Sequence, residues 1–217
     1  MLRPLLFAMA SALVLGACAS SPEAAGKSDS SATETAVVPS AYDLGFQTAD
    51  ELVAAGNTPT AIQRLMQLVG DTSLTPDQTA NVLYKLGELS GSPTGYNAEG
   101  AVSYFKEVLA DYRMTGAAAP AAAALPAAEA KVAGYIAALE SLDTTRSQEF
   151  EALFNLGRHQ EAIDLMVAND ILPGNEELLA MYQIGYLCDD SNLTGRAYSV
   201  TDRDGTVRNL RFCDFGK

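Results

Sequence analysis

Few residues of this 217-residue chain have side chains that commonly do chemistry. Its cysteines are Cys18, Cys188 and Cys213, and its single histidine is His159, which follows a glycine between two apolar runs. One histidine and no close pair of cysteines exclude a zinc site of recognisable spacing. The chain also has no GxSxG nucleophile pattern and no glycine-rich phosphate loop. We therefore predict no catalytic residues, no metal and no cofactor, and interpret His159 as a surface residue of a turn.

Two aspartates near the C-terminus raise the question of a calcium site. Asp202 and Asp204 are followed by a glycine, as in the calcium loop of an EF-hand. That loop needs an acidic ligand two residues earlier and a glutamate later, where this chain has Val200 and Arg211. An Asp-Gly pair between runs rich in valine, threonine and aromatic residues is instead a strong signal for a β-hairpin. We predict a small hairpin tail within residues 191–217.

The N-terminus has the layout of a signal peptide. One positive charge, Arg3, precedes an almost wholly apolar run that is too short to span a membrane. The run ends Leu15-Gly16-Ala17-Cys18. This ending resembles the lipobox of bacterial lipoproteins. The resemblance implies cleavage between Ala17 and Cys18 and fatty acylation of Cys18, for example with palmitate. The alternative is an ordinary secretory signal that is cut nearby.

The resemblance also implies a location. In the lipoproteins of enteric bacteria, an aspartate after the lipidated cysteine retains the protein in the inner membrane, and this chain has Ala19 there. We therefore expect an anchor in the outer membrane that faces the periplasm, with the inner membrane as the alternative. Three acyl chains on one cysteine would hold the protein durably, because stable anchoring needs more than one chain.

The net charge limits the kinds of partner that the chain can bind, and the composition predicts where its segments begin and end. The formal net charge of −13 excludes the basic footprint that nucleic-acid binding requires. After the signal peptide at 1–17, residues 18–40 have no aromatic residue and are rich in serine, alanine and threonine. Such a segment cannot bury enough apolar area to offset its ordering entropy, so we predict a disordered tether with a mean reach of about 25 Å. Residues 41–190 are predicted to form the folded helical part.

One spacing recurs in that helical part. Residues 49–65 and 150–166 share the same offsets between an apolar residue, a glycine, a small residue and a large residue. A third copy with an insertion lies between them. Each copy predicts a helix, a glycine turn and a second helix, in which the small residue permits close approach and the large one fills the gap. The residues that carry the pattern are Leu52, Gly56, Ala61 and Leu65; Leu86, Gly87, Ala101 and Phe105; and Leu153, Gly157, Ala162 and Met166.

This pattern resembles the tetratricopeptide repeat. The resemblance implies an α-solenoid of antiparallel helix pairs, and the insertion at 90–99 is more similar to the Sel1-like variant. The chain departs from the family pattern because it has no tryptophan and has leucine where the first helix usually carries an aromatic residue. Solenoids present a concave surface to protein partners. We place Tyr104 and Tyr182 as candidate groove residues on that surface.

The same patterns predict where the helices lie. Proline after threonine at 58–59 and 75–76 marks two helix starts. Residues 115–127 form an alanine-rich stretch with two prolines, which we interpret as a linker; an ordered stretch with prolines near helix starts is the alternative. The predicted helices are 41–55, 58–69, 76–90, 98–112, 127–142, 146–156, 159–168 and 175–188.

Cys188 and Cys213 are candidates for a disulfide that holds the tail. They fall at the predicted end of the last helix and the end of the second strand. A two-stranded hairpin alone is barely stable in water, so it must dock on the helices. In the oxidising periplasm the two cysteines are expected to pair. Two reduced, partly buried thiols are the alternative.

Together these features favour a non-catalytic scaffold of the cell envelope. We expect a membrane-anchored periplasmic lipoprotein that binds envelope proteins or peptide segments, and no nucleic acid. The alternative is a periplasmic enzyme or small-ligand binder whose site lies between the C-terminal hairpin and the helices. Such a site would need convergent polar side chains, for which the candidates are Asp189, Asp190, Arg196, Arg208 and Arg211.

Overall fold

The fold is mainly helical and ends in a small antiparallel sheet. The structure is a computed structural model that describes residues 39–189 and 194–213. Residues 1–38, which include Cys18, the predicted signal peptide and all of the predicted tether except residues 39–40, lie outside the described residues, as does Asp190. The elements of the described ranges are α1 Ala41–Ala54, α2 Thr58–Val69, α3 Pro76–Gly91, α4 Ala98–Asp111, α5 Ala118–Glu140, α6 Arg146–Leu156, α7 His159–Ala168, α8 Asn175–Ile184, β1 Leu187–Asp189, β2 Thr194–Thr201 and β3 Val207–Phe212.

Side-chain caps explain where several helices begin. Ser40, Thr75 and Thr145 precede α1, α3 and α6, and each accepts a hydrogen bond from the backbone N–H three residues later. In each case the third helical residue returns a side-chain bond to the cap backbone. This reciprocal box satisfies N–H groups that a helix start leaves unpaired. The predicted starts of these three helices are thereby confirmed.

The small and large residues of the recurring pattern lie in the core. Ala61, Ala101 and Ala162 have no exposed surface. The two helices approach closely at Gly87, where an added Cβ would lie 2.4 Å from a ring carbon of Phe105. A glycine is therefore required at this crossing of α3 and α4.

The stretch at 115–127 is helical rather than a linker. Helix α5 begins at Ala118 and continues through Pro126. Pro120 lies in the first turn, where a missing N–H costs nothing, and the surrounding alanines have the highest helix propensity. The prediction of a linker is therefore wrong, and the alternative of an ordered stretch is confirmed. Within the described ranges, α5 is also the helix whose length and apolar composition alone would suffice to cross a membrane.

Buried side chains form two clusters. The first joins α1 to α5 and includes Leu65, Leu86 and Phe105. The second joins α6, α7, α8 and the sheet and includes Phe154 and Met181. The sheet therefore shares a core with the last three helices. This agrees with the expectation that the hairpin docks on the helices.

The C-terminal sheet has one strand more than predicted. The strand order is β1-β3-β2, and both pairings are antiparallel. Strands β2 and β3 form the expected hairpin, with Gly205 in its turn at φ +87°. Helix α8 ends at Ile184 because Gly185 adopts φ +103° and caps it, so Cys188 lies in β1 and not in the last helix. Tyr198, Val200 and Leu210 face the core.

The last helix, α8, contacts α2 and the turn that precedes it. Gln183 on α8 donates from Nε2 to Oδ1 of Asn57 at 2.6 Å, and Gln63 on α2 donates to the Gln183 carbonyl at 3.4 Å. In a linear solenoid each repeat contacts only its neighbours. The structure therefore shows a helical array whose two ends meet, and the solenoid stays a prediction.

Candidate functional site

A cleft lies where the two ends of the helical array meet. Its volume is about 680 Å³. Its walls are the α1–α2 turn with the start of α2, the loop between α3 and α4, one side of α8 along its length, and the tip of the β2–β3 hairpin; we call it the hairpin cleft. The lining residues used below are Gly56, Asn57, Thr60, Thr94, Tyr96, Asn175, Glu176, Leu179, Tyr182, Gln183, Thr201, Asp202, Arg203, Asp204 and Arg208.

Arg203 brings the hairpin tip onto the α1–α2 turn. Gly56 in that turn has φ +79°, and a Cβ added to it would lie 2.1 Å from Cζ of Arg203. The guanidinium group therefore lies directly on the glycine, at the C-terminal end of α1. A cation is favourable there because the helix dipole places partial negative charge at that end. The glycine of the α1–α2 turn thus contacts the side chain that closes one wall of the cleft.

Asn175 connects α8 to the end of β2. Its Nδ2 donates to the carbonyl of Thr201 at 3.0 Å, and its Oδ1 accepts from the Thr201 N–H at 3.1 Å. One side-chain amide therefore satisfies both main-chain groups of one strand residue. This pair fixes the hairpin relative to the first turn of α8.

The loop between α3 and α4 forms the third wall. Thr94 shares a 2.8 Å hydroxyl–hydroxyl hydrogen bond with Thr58 of α2. Tyr96 adopts φ +49°, which is uncommon for a residue with a large side chain, and is buried against the ring of Phe154. Burial, with the nearby charges of Glu177 and Glu176, raises the pKa of Tyr96 to about 12. This phenol therefore stays protonated at physiological pH.

His159 contacts this loop through the backbone of Tyr96. It is largely buried, and the prediction of a surface residue is therefore wrong. Its Nε2 donates to the carbonyl of Tyr96 at 2.7 Å, and its ring packs on Phe154. Burial lowers the pKa of His159 below its ordinary value. The neutral ring is therefore favoured, and it holds Tyr96 in its unusual backbone conformation.

The cleft carries both signs of charge. Arg208 pairs with Asp202 and lies 5.5 Å from the ring centre of Tyr182. The hydrogen bond to Asp202 raises the pKa of Arg208, which stays charged. Glu176 and Arg203 are exposed, so the cleft opens to solvent on the side of α8 and the hairpin tip. A ligand there would meet an acid and a base as well as neutral amides.

The residues predicted for a tail-side site and for a concave groove do not all converge on this cleft. Arg208 and Tyr182 line it. Arg196 instead pairs with Asp170, and Tyr104 packs against the first core cluster. Arg211 lies on β3 opposite Cys188 and does not line the cleft.

The two tail cysteines lie together. Cys188 and Cys213 have Cα atoms 5.2 Å apart and sulfurs within disulfide distance, and their sequence separation is 25. Backbone pairing brings them there, because the Cys213 N–H donates to the carbonyl of Tyr186 at 3.0 Å. They tie β1 to the end of β3, at the end of the sheet away from the cleft.

Sequence reasoning missed most of the cleft. The sequence patterns assign no role to Asn57 or Asn175, and they place Thr94 only in the insertion at 90–99. One signal was available, because the inserted turn at 90–99 is long enough to reach a neighbouring pair of helices. Nothing in the sequence showed that the hairpin tip would meet the α1–α2 turn.

The lining offers binding groups and few reactive ones. Its described residues include no histidine, cysteine or serine. Across the described ranges, no group of three or more histidine, cysteine, aspartate or glutamate side chains is arranged to hold a metal ion. The chain matches no protein-family model, no curated protein and no solved structure.

Proposed function

We propose that this chain is a lipid-anchored, non-catalytic binding protein of the bacterial cell envelope. In this proposal its helix pairs are tetratricopeptide-like repeats, and the hairpin cleft holds a peptide segment of an envelope protein. The observation that carries the proposal is the cleft itself. It lies where the ends of the array meet, and four separate segments of the chain build its walls.

The chemistry of the lining suits a peptide main chain. Asn57 and Gln183 have side-chain amides, and Thr60 and Thr94 have hydroxyls. Each of these groups can both donate and accept, as a peptide main chain requires. The exposed side of the cleft would let an extended segment enter without unfolding the array.

The anchor rests on the sequence ending Leu15-Gly16-Ala17-Cys18. Metabolic labelling with an alkyne analogue of palmitate tests it. We expect the label on the wild-type chain and on Cys213→Ser, and none on Cys18→Ala. Fractionation should place the labelled chain in the outer membrane. Label that persists in Cys18→Ala would contradict the anchor.

Photo-crosslinking in intact envelopes tests the cleft. Thr60 lines the cleft, whereas the exposed Gln67 of the same helix does not. A benzoylphenylalanine at position 60 should yield a discrete adduct with one envelope protein, and the same group at position 67 should not. Equal adducts at both positions would remove the cleft as the binding site.

A small polar ligand is the second candidate. The cleft volume of about 680 Å³ lies within the range of roughly 300–1,000 Å³ that is usual for small-molecule sites. Native mass spectrometry of the purified chain distinguishes the two candidates. A stoichiometric small molecule that is lost from Thr60→Trp, together with no crosslinked protein, would favour this candidate over the peptide.

A further inference from the structure

The free edge of β2 shows how the hairpin cleft is built to hold its occupant. Strand β3 lies between β1 and β2, so β2 is an edge strand with one side unpaired within the sheet. An edge strand presents main-chain N–H and C=O groups that another extended chain can pair with. Thr201, at the end of β2, lines the cleft. The edge and the cleft therefore meet at this residue.

The hydrogen bonds of Thr201 show which way its main chain points. Both its N–H and its carbonyl bond the side-chain amide of Asn175, at 3.1 and 3.0 Å, and so face away from β3. Ser199 lies two residues earlier, and its hydroxyl pairs with the side chain of its cross-strand partner Asn209 at 3.0 Å. Alternation along an antiparallel strand directs the main chain of Ser199 to the same edge as that of Thr201.

Asn175 makes the contacts that a neighbouring strand would make. A side-chain amide has the same donor and acceptor as a peptide group, and here it gives both hydrogen bonds that one strand residue gives to its partner. Asn175 is exposed and stands at the first position of α8. It can therefore rotate into solvent when another amide takes its place.

We infer that the peptide segment binds as an added strand along the free edge of β2, where its main chain displaces the side-chain amide of Asn175. The inference rests on the proposed function, because it names how the segment is held in the same cleft. Strand addition uses main-chain hydrogen bonds for affinity and alternate side chains for specificity. The alternate side chains of the segment would face Tyr182 and the charges of the cleft.

The first test uses the full chain and a defined probe. The probe is an acetylated, amidated octapeptide in which threonine and glutamine alternate, and its binding is followed by NMR at millimolar concentration. We expect amide exchange of Ser199 and Thr201 to slow when the peptide binds. Single N-methylation along the peptide should weaken binding at every second position, because only alternate N–H groups face β2.

The outcomes separate this inference from the proposed function. Binding at the cleft with no period-two effect of N-methylation would overturn strand addition and leave the cleft as the site. Shift changes confined to residues outside the cleft would overturn both. Binding with the period-two effect supports both.

Variants of asparagine give an independent readout. Asn175→Ala removes the internal competitor for the edge, so we expect the peptide to bind two- to tenfold more tightly. Asn169→Ala is the matched control, because Asn169 also donates from its side chain to a backbone carbonyl, that of Leu165, but lies outside the cleft. Weaker binding by Asn175→Ala would mean that Asn175 itself holds the peptide, which overturns the displacement.

Discussion

At the scale of residues, the loop of Tyr96 links a neutral histidine to the wall of the cleft. Tyr96 adopts a left-handed backbone conformation that is unfavourable for a residue with a β-carbon, and His159 donates to its carbonyl. The ring of Tyr96 packs on Phe154, which also touches His159. The geometry of the cleft therefore depends on one histidine that is separated from Tyr96 by three helices in sequence.

The lowered pKa of His159 predicts a dependence of stability on pH. The unfolded chain binds a proton below the ordinary pKa of about 6.5, whereas the folded chain resists protonation. The free energy of unfolding should therefore fall as pH falls below about 6.5, until the folded pKa is reached. Urea denaturation at a series of pH values between 7.5 and 5 measures this slope.

The control for this prediction is His159→Gln. The amide keeps a donor for the Tyr96 carbonyl but does not titrate in this range, so the slope between pH 7.5 and 5 should flatten. An unchanged slope in the variant would assign the pH dependence to other groups.

At the scale of elements, local sequence patterns predict α5 and the sheet poorly. Helix α5 depends on tertiary contacts across a proline, and the third strand depends on where α8 ends. Pro126 removes one hydrogen bond from the interior of α5, yet the helix continues. Its neighbours Ala124 and Leu125 pack against the first core cluster, so tertiary contact holds the helix across the proline. The sheet gains β1 because Gly185 ends α8 early and releases residues 187–189 to pair with β3.

Proline substitutions test the continuity of α5. Pro126→Ala should stabilise the chain by up to about 3 kcal/mol, because an interior proline removes a hydrogen bond and clashes with the preceding turn. Pro120→Ala, in the first turn, should change stability by less than about 0.5 kcal/mol. Denaturation in urea compares the two variants. An effect of Pro126→Ala as small as that of Pro120→Ala would mean that Pro126 does not lie in a helix interior, which contradicts a continuous α5.

The pair Cys188 and Cys213 is tested at the same scale. If oxidised, a loop of 25 residues contributes about 3 kcal/mol to stability in the chain-entropy account. The dithiol dithiothreitol should then lower the urea midpoint of the wild type, and Cys188→Ser should already have the lower midpoint and not respond. A wild-type midpoint that ignores the reductant would show that the thiols are unpaired.

At the scale of the whole molecule, the two ends of the helical array hold each other. Gln183 of α8 contacts Asn57, and Arg203 of the hairpin lies on Gly56. In a linear array the terminal repeats unfold most readily, because each has one neighbour. Contact between the ends gives each terminal segment a second neighbour, so it should unfold less readily. The cleft lies between these two ends.

This joining predicts the pattern of amide hydrogen exchange. Gln183→Ala breaks the bond between α8 and Asn57, so exchange in α1 and α2 should become several-fold faster while exchange in α4 is unchanged. Gln160→Ala, which removes only a side-chain bond to Asp164 within α7, is the matched control and should leave α1 and α2 unaffected. Unaltered exchange in α1 and α2 of Gln183→Ala would contradict coupling between the ends.

Local sequence patterns determined most of the helices. Pro59, Pro76, the cap Thr75 and the glycines Gly56 and Gly157 act within a few residues, so they predict helix boundaries without the rest of the fold. The Asp-Gly pair predicted the hairpin for the same reason. The start of α5 was not predicted correctly. Alanines favour a helix there, whereas the two prolines favour a break.

Only the tertiary structure decided the site. The hairpin cleft joins Gly56, Tyr96, Asn175 and Arg203, which are distant in sequence and meet because the array turns back on itself. That curvature is a sum of small rotations between packed helices, and no single residue encodes it. The recurring spacing and the turn signals are properties of short segments. The cleft is a property of how those segments pack.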